Sequence, residues 1–269
     1  MTLPQCETLM LYEEKGVVYI TLNRPQVRNA MSLTMVEELM NVFSSVRDNR
    51  DVRIMVLRGA GGHFCAGGDI QDMAMARQRA FQGEANAFME INRKFGRLIT
   101  LVNSAPQAVV AVLEGAVMGG GFGLACVSDI AIAKKDAVFK LPETSLGLPP
   151  AQIAPFVVQR VGLTQARRMA VMGAKFNGEE AKQLGVVHTV CETEEELAQE
   201  FQAVIKQIRR CAPNANAITK KLMMAVGQTE LEQLLDEAAQ DFSDCVQGPE
   251  GAEGTQAFIS KRLPSWAEE

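Results

Sequence analysis

One glycine-rich stretch dominates the centre of the chain: Gly115-Ala-Val-Met-Gly-Gly-Gly-Phe-Gly-Leu-Ala-Cys126. An apolar run, Val109 to Leu113, precedes it and predicts a buried strand, and Leu124 to Cys126 predict a short buried helix. A strand, a turn and a helix start in this order leave backbone N–H groups without acceptors in the helix. Glycine has no Cβ to obstruct an approaching ligand, and the helix dipole favours negative charge there. The stretch predicts a turn that holds a phosphate or an oxyanion, although glycines also permit tight packing of a helix on a strand.

The composition predicts a folded protein without a nucleic-acid partner. The chain has 269 residues, of which 47% are hydrophobic and 22% charged, which fits one α/β domain with a helical appendage. Its net charge of -5 differs from the basic balance typical of nucleic-acid-binding proteins. No apolar run reaches the roughly 20 residues of a membrane-spanning helix, so we expect no membrane partner. The first residues lack the pattern of a signal peptide, which favours the cytoplasm.

The cysteines and histidines predict neither a disulfide framework nor a metal site. Six cysteines lie far apart without a Cys-x-x-Cys pair, so we expect reduced and mostly buried thiols. His63 and His188 are the only histidines, and a histidine-rich metal site is therefore not expected.

Strands and helices alternate along much of the chain, which predicts an α/β fold with a mostly parallel sheet. Predicted strands span residues 7–12, 17–22, 52–57, 107–113, 130–133 and 186–190. One predicted helix begins after Ser32, which is its expected N-cap. Further predicted helices span 88–102, 151–161, 164–172 and 179–184. Residues 71–83 are polar without a clear apolar stripe, and we expect a mobile surface segment there. Beyond residue 192 we expect three helices, with breaks near Pro213, Gln228 and Gly248.

A second glycine turn, Ala66-Gly67-Gly68-Asp69, also follows a predicted strand, and it too resembles the opening of a helix. Two such turns at the carboxyl ends of strands can each supply one N–H to a single oxygen. This is the construction of an oxyanion hole, where each donor stabilises developing charge by roughly 3 to 4 kcal/mol. A phosphate site fits less well, because no Gly-Lys-Ser/Thr follows Gly121 and the glycines come too late for a dinucleotide fold. The two turns together favour an oxyanion, for which the enolate of a thioester is a natural candidate.

Three motifs give the chain a resemblance to the enoyl-CoA hydratase/isomerase (crotonase) family. They are Phe64-Cys-Ala-Gly-Gly-Asp-Ile70, the run from Gly115 to Asp129, and Asn23-Arg-Pro followed by Arg28-Asn-Ala30. The resemblance implies a crotonase-type spiral core of ββα units over residues 1–192 and a helical trimerisation region over residues 193–269. It also implies assembly as a homotrimer or a dimer of trimers. The implied substrate is an acyl-CoA, so that coenzyme A is part of the substrate and no separate cofactor is expected.

The same resemblance implies roles for individual residues. The N–H groups of Gly68 and Gly120 would form the oxyanion hole. The positions that would contact coenzyme A are Arg28, Ala66, Asp69, Ile70, Phe258 and Lys261. The guanidinium of Arg28 would lie near the phosphates, which it can pair well. Phe258 and Lys261 would help to close the site, in some relatives from a neighbouring subunit.

The acid/base pair is where the chain departs from the family pattern. Typical hydratases of the family use two glutamates, one three residues after the oxyanion glycine and the other 20 residues later. The second is present as Glu143, whereas Gly123 occupies the first position. Burial beside a thioester would raise the pKa of Glu143, which could then accept and deliver a proton alone. The missing side chain at Gly123 also predicts a larger pocket near the β-carbon of the substrate.

A further resemblance concerns the segment Leu141-Pro-Glu-Thr-Ser-Leu-Gly-Leu-Pro-Pro-Ala-Gln-Ile-Ala-Pro-Phe-Val-Val158. This segment is similar to the corresponding segment of hydratases that act on branched glutaconyl-CoA. These are the isohexenylglutaconyl-CoA hydratases of acyclic terpene degradation and some methylglutaconyl-CoA hydratases. The first reaction implies an apolar lining for a long acyl tail, for which the candidates are Met73, Met75, Phe81, Phe122 and Ile153. Three alternatives stay open: a methylglutaconyl-CoA hydratase, an enoyl-CoA isomerase with one carboxylate, and a non-catalytic scaffold that binds CoA or RNA. The negative net charge argues against RNA.

Overall fold

The protein folds into two β-sheets and ten α-helices over residues 2–267, which are the residues that this computed structural model describes. The strands are β1 (Leu9–Glu14), β2 (Val17–Leu22), β3 (Ile54–Gly59), β4 (Ala108–Leu113), β5 (Ala116–Met118), β6 (Ile130–Lys134), β7 (Val138–Lys140), β8 (Lys175–Phe176) and β9 (Thr189–Cys191). The helices are α1 (Leu33–Val46), α2 (Ile70–Phe81), α3 (Ala87–Asn103), α4 (Gly120–Val127), α5 (Ala154–Met172), α6 (Gly178–Gln183), α7 (Glu194–Arg209), α8 (Pro213–Ala225), α9 (Leu231–Gln247) and α10 (Pro249–Ile259). Short 3-10 turns span Pro25–Val27, Ala60–Gly62, Glu143–Leu146 and Ser265–Ala267.

The main sheet has six strands in the order β1-β2-β3-β4-β6-β9. β1 and β2 form an antiparallel hairpin, and every other neighbouring pair in this sheet is parallel. A second, three-stranded sheet has the order β5-β7-β8. The α/β fold and the mostly parallel sheet that the alternating elements predict are therefore confirmed.

Strand β4 shows how the main sheet is buried on both faces. Val109 and Leu113 join the larger apolar core, which lies on the side of α1 and α3. Val110 and Val112 point to the opposite face, where a smaller core includes Leu197 of α7. Because side chains alternate along a strand, a central strand covered on both faces must be apolar at every position. The run from Val109 to Leu113 meets that requirement.

Several element boundaries differ from the sequence expectation. Residues 71–83 were expected to be a mobile surface segment, which is wrong, because α2 spans Ile70–Phe81. The helix after the central glycines begins at Gly120 rather than near Leu124. Residues 193–267 contain four helices rather than three. The break expected between the helices 151–161 and 164–172 is present, because α5 consists of two helical segments that meet at Gly162, where φ is +77°.

The C-terminal part of the chain packs in two ways. Helix α7 lies on the main sheet, whereas α8, α9 and α10 contact mainly one another. The guanidinium of Arg53, just before β3, donates to the carbonyls of Arg209, Cys211 and Trp266 at 2.6–2.7 Å and ties the last segment to the sheet. The division of the chain near residue 192 stays a prediction.

Six free cysteines lie within the described chain, and half of them are buried, fewer than the expected majority. Cys65, Cys126 and Cys191 are buried, Cys211 is exposed, and the other two are intermediate. Burial raises the pKa of the Cys65 thiol to about 11 and that of Cys126 to about 12, so that both remain protonated near neutral pH.

Candidate active site

Backbone pairing holds the two glycine turns side by side. The N–H of Cys65 donates to the carbonyl of Ala116 at 2.8 Å, and the N–H of Met118 donates to the carbonyl of Cys65 at 2.9 Å. Cys65 thus extends the edge of β5, although it lies about 50 residues earlier in the chain. Each turn continues directly from this paired segment, and Gly68 and Gly120 therefore come to lie near each other.

The N–H groups of Gly68 and Gly120 have no hydrogen-bond acceptor within residues 2–267. On either side of Gly68, the carbonyl of Gly67 accepts from Met31 at 2.8 Å, and the N–H of Asp69 donates to Met31 at 3.1 Å. Gly120 is the first residue of α4, where an N–H has no acceptor within the helix. Two free donors on adjacent turns match the requirements of an oxyanion hole.

Close approach explains why glycines occupy the second turn. Gly119 has φ of +50° and ψ of -116°, a conformation that residues with a Cβ strongly disfavour. A Cβ added at Gly120 would lie 3.0 Å from Cζ of Phe95, and one at Gly121 would lie 2.6 Å from Cβ of Cys65. The glycine cluster therefore shapes the turn as well as exposing its N–H groups.

Asp69 fixes the start of α2 next to Gly68. Its carboxylate accepts from the N–H of Gln71 at 2.7 Å and forms an ion pair with Nη1 of Arg24 at 2.5 Å. The same Arg24 atom also donates to the carbonyl of Ala30 at 2.6 Å. The Asp69 side chain is only 7% exposed, so the structure gives it a role in holding the turn. Its contact with coenzyme A stays a prediction.

Glu143 reaches the same place from the small second sheet. It begins the 3-10 turn after β7, and β7 pairs with β5, which leads into the turn of Gly119. A Cβ added at Gly119 would lie 3.1 Å from Oε1 of Glu143. The other carboxylate oxygen, Oε2, is buried without a hydrogen-bond partner among the described residues. Burial raises the pKa of Glu143, which suits a group that must both accept and deliver a proton.

A cavity of about 170 Å³ contains all three candidate catalytic groups: Gly68, Gly120 and Glu143 line it together. Most of its exposed wall is apolar. The other lining residues are Met31, Leu33, Val36, Asp69, Asp72, Met73, Ile91, Asn92, Phe95, Pro149, Pro150, Ala151, Gln152 and Ile153. A mostly apolar cavity with a few convergent polar groups is the usual form of a small-molecule site. The structure brings together the residues to which the sequence assigns the chemistry, and their roles stay predictions.

Ile153 fills the space beside Gly123. A Cβ added at Gly123 would lie 2.4 Å from Cγ2 of Ile153 and 3.5 Å from Cδ1 of Ile99. Gly123 is buried and does not line the cavity, whereas Ile153 does. The expectation that Gly123 enlarges the pocket is therefore wrong. The glycine instead allows the segment of Ile153 to pack on α4, so that an apolar side chain stands where a second carboxylate would approach the substrate.

The candidate apolar lining is only partly in the cavity. Met73 and Ile153 line it, whereas Met75 is 53% exposed and Phe81 is 86% exposed. Phe122 is fully buried, and its ring packs edge-on against two other aromatic rings of the core. Met75, Phe81 and Phe122 are therefore not part of the cavity wall.

The candidate CoA contacts lie in three places. Ala66 donates its N–H to the carbonyl of Arg28 at 3.0 Å, so these two residues are neighbours at the edge of the site. Arg28 is exposed, and Ile70 is 83% exposed at the first position of α2. Phe258, 85% exposed, lies near the end of α10 and Lys261 just beyond it, and neither lines the cavity of its own chain. Their contacts with coenzyme A stay predictions.

Two polar lining residues, Asn92 and Gln152, were not anticipated from the sequence. Nε2 of Gln152 donates to Oδ1 of Asn92 at 2.8 Å, which connects α3 with the segment before α5. The contact joins positions 60 residues apart, and no local pattern in the chain marks it.

Neither a metal site nor a membrane span is present in the described part of the chain. No cluster of three or more His, Cys, Asp or Glu side chains there could hold a metal ion. None of the helices in residues 2–267 combines the length and the apolar character that crossing a membrane requires.

Comparison with known proteins identifies the family. The model of the enoyl-CoA hydratase/isomerase family matches residues 12–269. Pseudomonas aeruginosa AtuE is 59% identical, with a TM-score of 0.95 and coverage of 97% of this chain and 100% of that chain. An enoyl-CoA hydratase/isomerase from Marinobacter aquaeolei is 55% identical, with a TM-score of 0.95 and coverage of 98% and 100%. The peroxisomal Delta(3,5)-Delta(2,4)-dienoyl-CoA isomerase of Arabidopsis thaliana is 29% identical over 99% of both chains.

The chain belongs to the enoyl-CoA hydratase/isomerase family. It is a hydratase-type enzyme, and an acyl-CoA substrate is consistent with this family.

Proposed function

We propose that the enzyme adds water across the double bond of a branched glutaconyl-CoA, converting isohexenylglutaconyl-CoA to 3-hydroxy-3-isohexenylglutaryl-CoA. The observation that carries this proposal is the cavity in which one carboxylate, Glu143, meets the free N–H groups of Gly68 and Gly120. A second observation concerns the segment whose sequence resembles that of branched-glutaconyl hydratases. Its residues 149–153 form one wall of the cavity, where they can contact the acyl group.

The proposed mechanism uses Glu143 for both proton transfers. The carboxylate accepts a proton from water as the water oxygen bonds to the β-carbon of the thioester. The electron pair of the double bond moves toward the carbonyl oxygen, which accepts hydrogen bonds from Gly68 and Gly120 as it becomes an enolate. Glu143 then delivers its proton to the α-carbon, and the carbonyl re-forms. The raised pKa of Glu143 brings its two protonation states closer in free energy near neutral pH.

A substrate panel tests this function directly. We expect kcat/KM to decrease from isohexenylglutaconyl-CoA to methylglutaconyl-CoA to crotonyl-CoA. Glu143→Gln should lower kcat by about a hundredfold to ten-thousandfold with each active substrate and leave acyl-CoA binding nearly unchanged. Glu195→Gln, at an exposed position of α7, is the matched control and should retain full turnover. Preference for crotonyl-CoA would overturn the substrate assignment, and near-normal turnover of Glu143→Gln would remove Glu143 from the mechanism.

Isomerisation of a double bond is the second candidate function. It is favoured by the single glutamate among the catalytic candidates, because moving one proton between two carbons needs only one acid/base group. The relationship to the dienoyl-CoA isomerase of Arabidopsis thaliana is in keeping with it. Product mass separates the two reactions: hydration adds the mass of one water, whereas isomerisation shifts the double bond at unchanged mass.

A further inference from the structure

A second cleft adjoins the catalytic cavity along helix α3. It has a volume of about 440 Å³, and it shares Leu33, Ile91, Asn92 and Gln152 with the cavity. Four basic side chains line it, those of Arg79, Arg93, Lys94 and Arg97, against one acidic side chain, that of Glu90. The cavity that holds Glu143 thus opens beside a cationic surface, in a protein whose net charge is -5.

Only two of these four cations are neutralised by neighbouring carboxylates. Arg79 forms ion pairs with Glu84 and Glu90 at 2.6 and 3.3 Å, and Lys94 forms one with Glu37. Among residues 2–267, no carboxylate lies within ion-pair distance of Arg93 or Arg97. Two guanidinium groups one helical turn apart are therefore available to an anion from outside the chain.

Of these two arginines, Arg93 contacts a residue that lines the cavity. Its Nη1 lies 3.4 Å from Oε1 of Gln152, and Nε2 of Gln152 donates to Oδ1 of Asn92 at 2.8 Å. Gly96 makes this arrangement possible, because a Cβ there would lie 1.9 Å from Oε1 of Gln152. Oδ1 of Asn92 accepts the hydrogen bond from Gln152, whereas the side-chain N–H groups of Asn92 have no acceptor within the described chain. Arg93 and Asn92 together present free donors beside the cavity that contains Glu143.

We propose that Arg93, together with the Asn92 amide, binds a free carboxylate at the far end of the acyl group and so selects dicarboxylic acyl-CoA thioesters. The choice of ligand rests on the proposed function, since the fifth carbon of a glutaconyl group is a free carboxylate. Arg93 is exposed and lines the cleft rather than the cavity, so the carboxylate would lie where the two meet. A carboxylate that leaves bulk water at this boundary is stabilised when it is paired and hydrogen-bonded. Guanidinium donors match carboxylate geometry, and a neutral amide can satisfy a remaining oxygen. Arg93 is thus a specificity-determining residue, separate from the groups that perform the chemistry.

Binding of two unreactive thioesters tests this inference without any turnover. Glutaryl-CoA and pentanoyl-CoA have acyl chains of equal length and differ in the terminal carboxylate. Titration calorimetry should show that the wild-type enzyme binds glutaryl-CoA more tightly. Arg93→Ala should weaken glutaryl-CoA binding by about tenfold or more and change pentanoyl-CoA binding less than about twofold. Arg93→Lys, which keeps the charge, should recover part of the loss.

Arg97→Ala is the matched control, because it removes the same charge from the same helix one turn further on, without a hydrogen bond to Gln152. Arg97→Ala should lower the affinity for glutaryl-CoA less than about threefold, because it removes only a long-range attraction between the arginine and the terminal carboxylate. Equal losses for both thioesters in Arg93→Ala, or equal losses in the two arginine variants, would overturn the proposal. Equal wild-type affinity for the two thioesters would do the same. A selective loss in Arg93→Ala from an enzyme that hydrates no glutaconyl-CoA would uphold the carboxylate site and reject the proposed reaction.

Discussion

At the scale of single residues, Glu143 combines a position in the candidate active site with an unfavourable environment. One of its carboxylate oxygens is buried without a hydrogen-bond partner in the described chain, and burial raises its pKa above the usual 4.5. A charged group in such a position costs folding free energy that a neutral group of the same shape does not. Active sites commonly keep such groups because their function requires them.

This environment predicts a pH-dependent difference in stability between the wild type and Glu143→Gln. The pKa of Glu143 is higher in the folded state than in the unfolded state. Its protonated form therefore contributes fully to the free energy of unfolding of the wild type below pH 4.5, and this contribution is lost as the pH rises through the folded pKa. The free energy of unfolding of Glu143→Gln should therefore increase relative to that of the wild type between about pH 4 and about pH 8. Urea unfolding of both proteins at the two pH values measures the difference. An unchanged or opposite difference would mean that the folded state does not raise this pKa.

Glu143 could be singled out from the sequence only through the family resemblance, because a lone glutamate in a proline-flanked turn has no distinctive pattern. The expectation that Gly123 enlarges the pocket was wrong because it, too, depended on a contact between distant residues. A glycine removes a side chain, but the sequence does not reveal which neighbour occupies the space. In the structure that neighbour is Ile153, which lies 30 residues later in the chain. The partners of Arg93 were likewise beyond prediction, since they depend on how α3 meets the segment before α5.

At the scale of elements, the turn between β5 and α4 sets the position of two catalytic candidates. Gly119 adopts φ of +50°, and its N–H donates to the carbonyl of Lys140 at 3.1 Å at the end of β7. The same turn therefore carries the N–H of Gly120 and lies against the carboxylate of Glu143. Any change in its backbone should alter both groups at once.

Gly119→Ala is expected to lower both stability and turnover. The strained backbone should cost about 1–2 kcal/mol or more, and the added methyl group would press on Oε1 of Glu143. Gly185→Ala is the matched control, because Gly185 also has a positive φ, +79°, and lies after α6, away from the cavity. Thermal unfolding should show lower stability for both variants, whereas only Gly119→Ala should lose kcat by about tenfold or more. Full turnover in Gly119→Ala would show that the turn does not position the catalytic groups.

Elements with strong periodic patterns were predictable, and those held by distant contacts were not. Strand β2 and helices α1 and α3 follow from apolar spacing, and Ser32 caps α1 through its side chain as expected. Helix α2 has one buried residue, Ala76, so it lacks an apolar stripe, and its start is fixed instead by the cap at Asp69. The strands of the second sheet have two or three residues each and arise from pairing across the fold, which no local pattern indicates.

At the scale of the whole molecule, the C-terminal helices expose an apolar stripe. Along α9, Leu231, Leu235, Phe242 and Val246 are each more than half exposed, and their spacing places them on one face of the helix. A contiguous exposed apolar face is typical of a surface that another protein covers. We expect a second copy of the chain to provide that cover, as in the homotrimer or dimer of trimers that the family resemblance implies.

We predict that the enzyme in solution has three or six times the chain mass of 29.3 kDa, as measured by light scattering after size exclusion. Phe242→Glu should shift the mass toward that of a monomer, because it places a charge on the apolar stripe. Gln233→Glu adds the same charge to an exposed position elsewhere on α9 and should leave the mass unchanged. A monomeric wild type, or an unchanged mass in Phe242→Glu, would contradict this assignment of the interface.

The pairing of Cys65 with β5 brings the N–H groups of Gly68 and Gly120 together during folding. Gly68 and Gly120 each follow a few residues after the backbone pairing between Cys65 and β5. The distance between their N–H groups is therefore set when the chain folds, before any thioester binds. Substrate binding then spends little free energy on reorganising the donors, and more of it remains for stabilising the transition state. The candidate oxyanion site is therefore preorganised, and the amide groups of Cys65 and Met118 should exchange with solvent only when their hydrogen-bonded pairing opens.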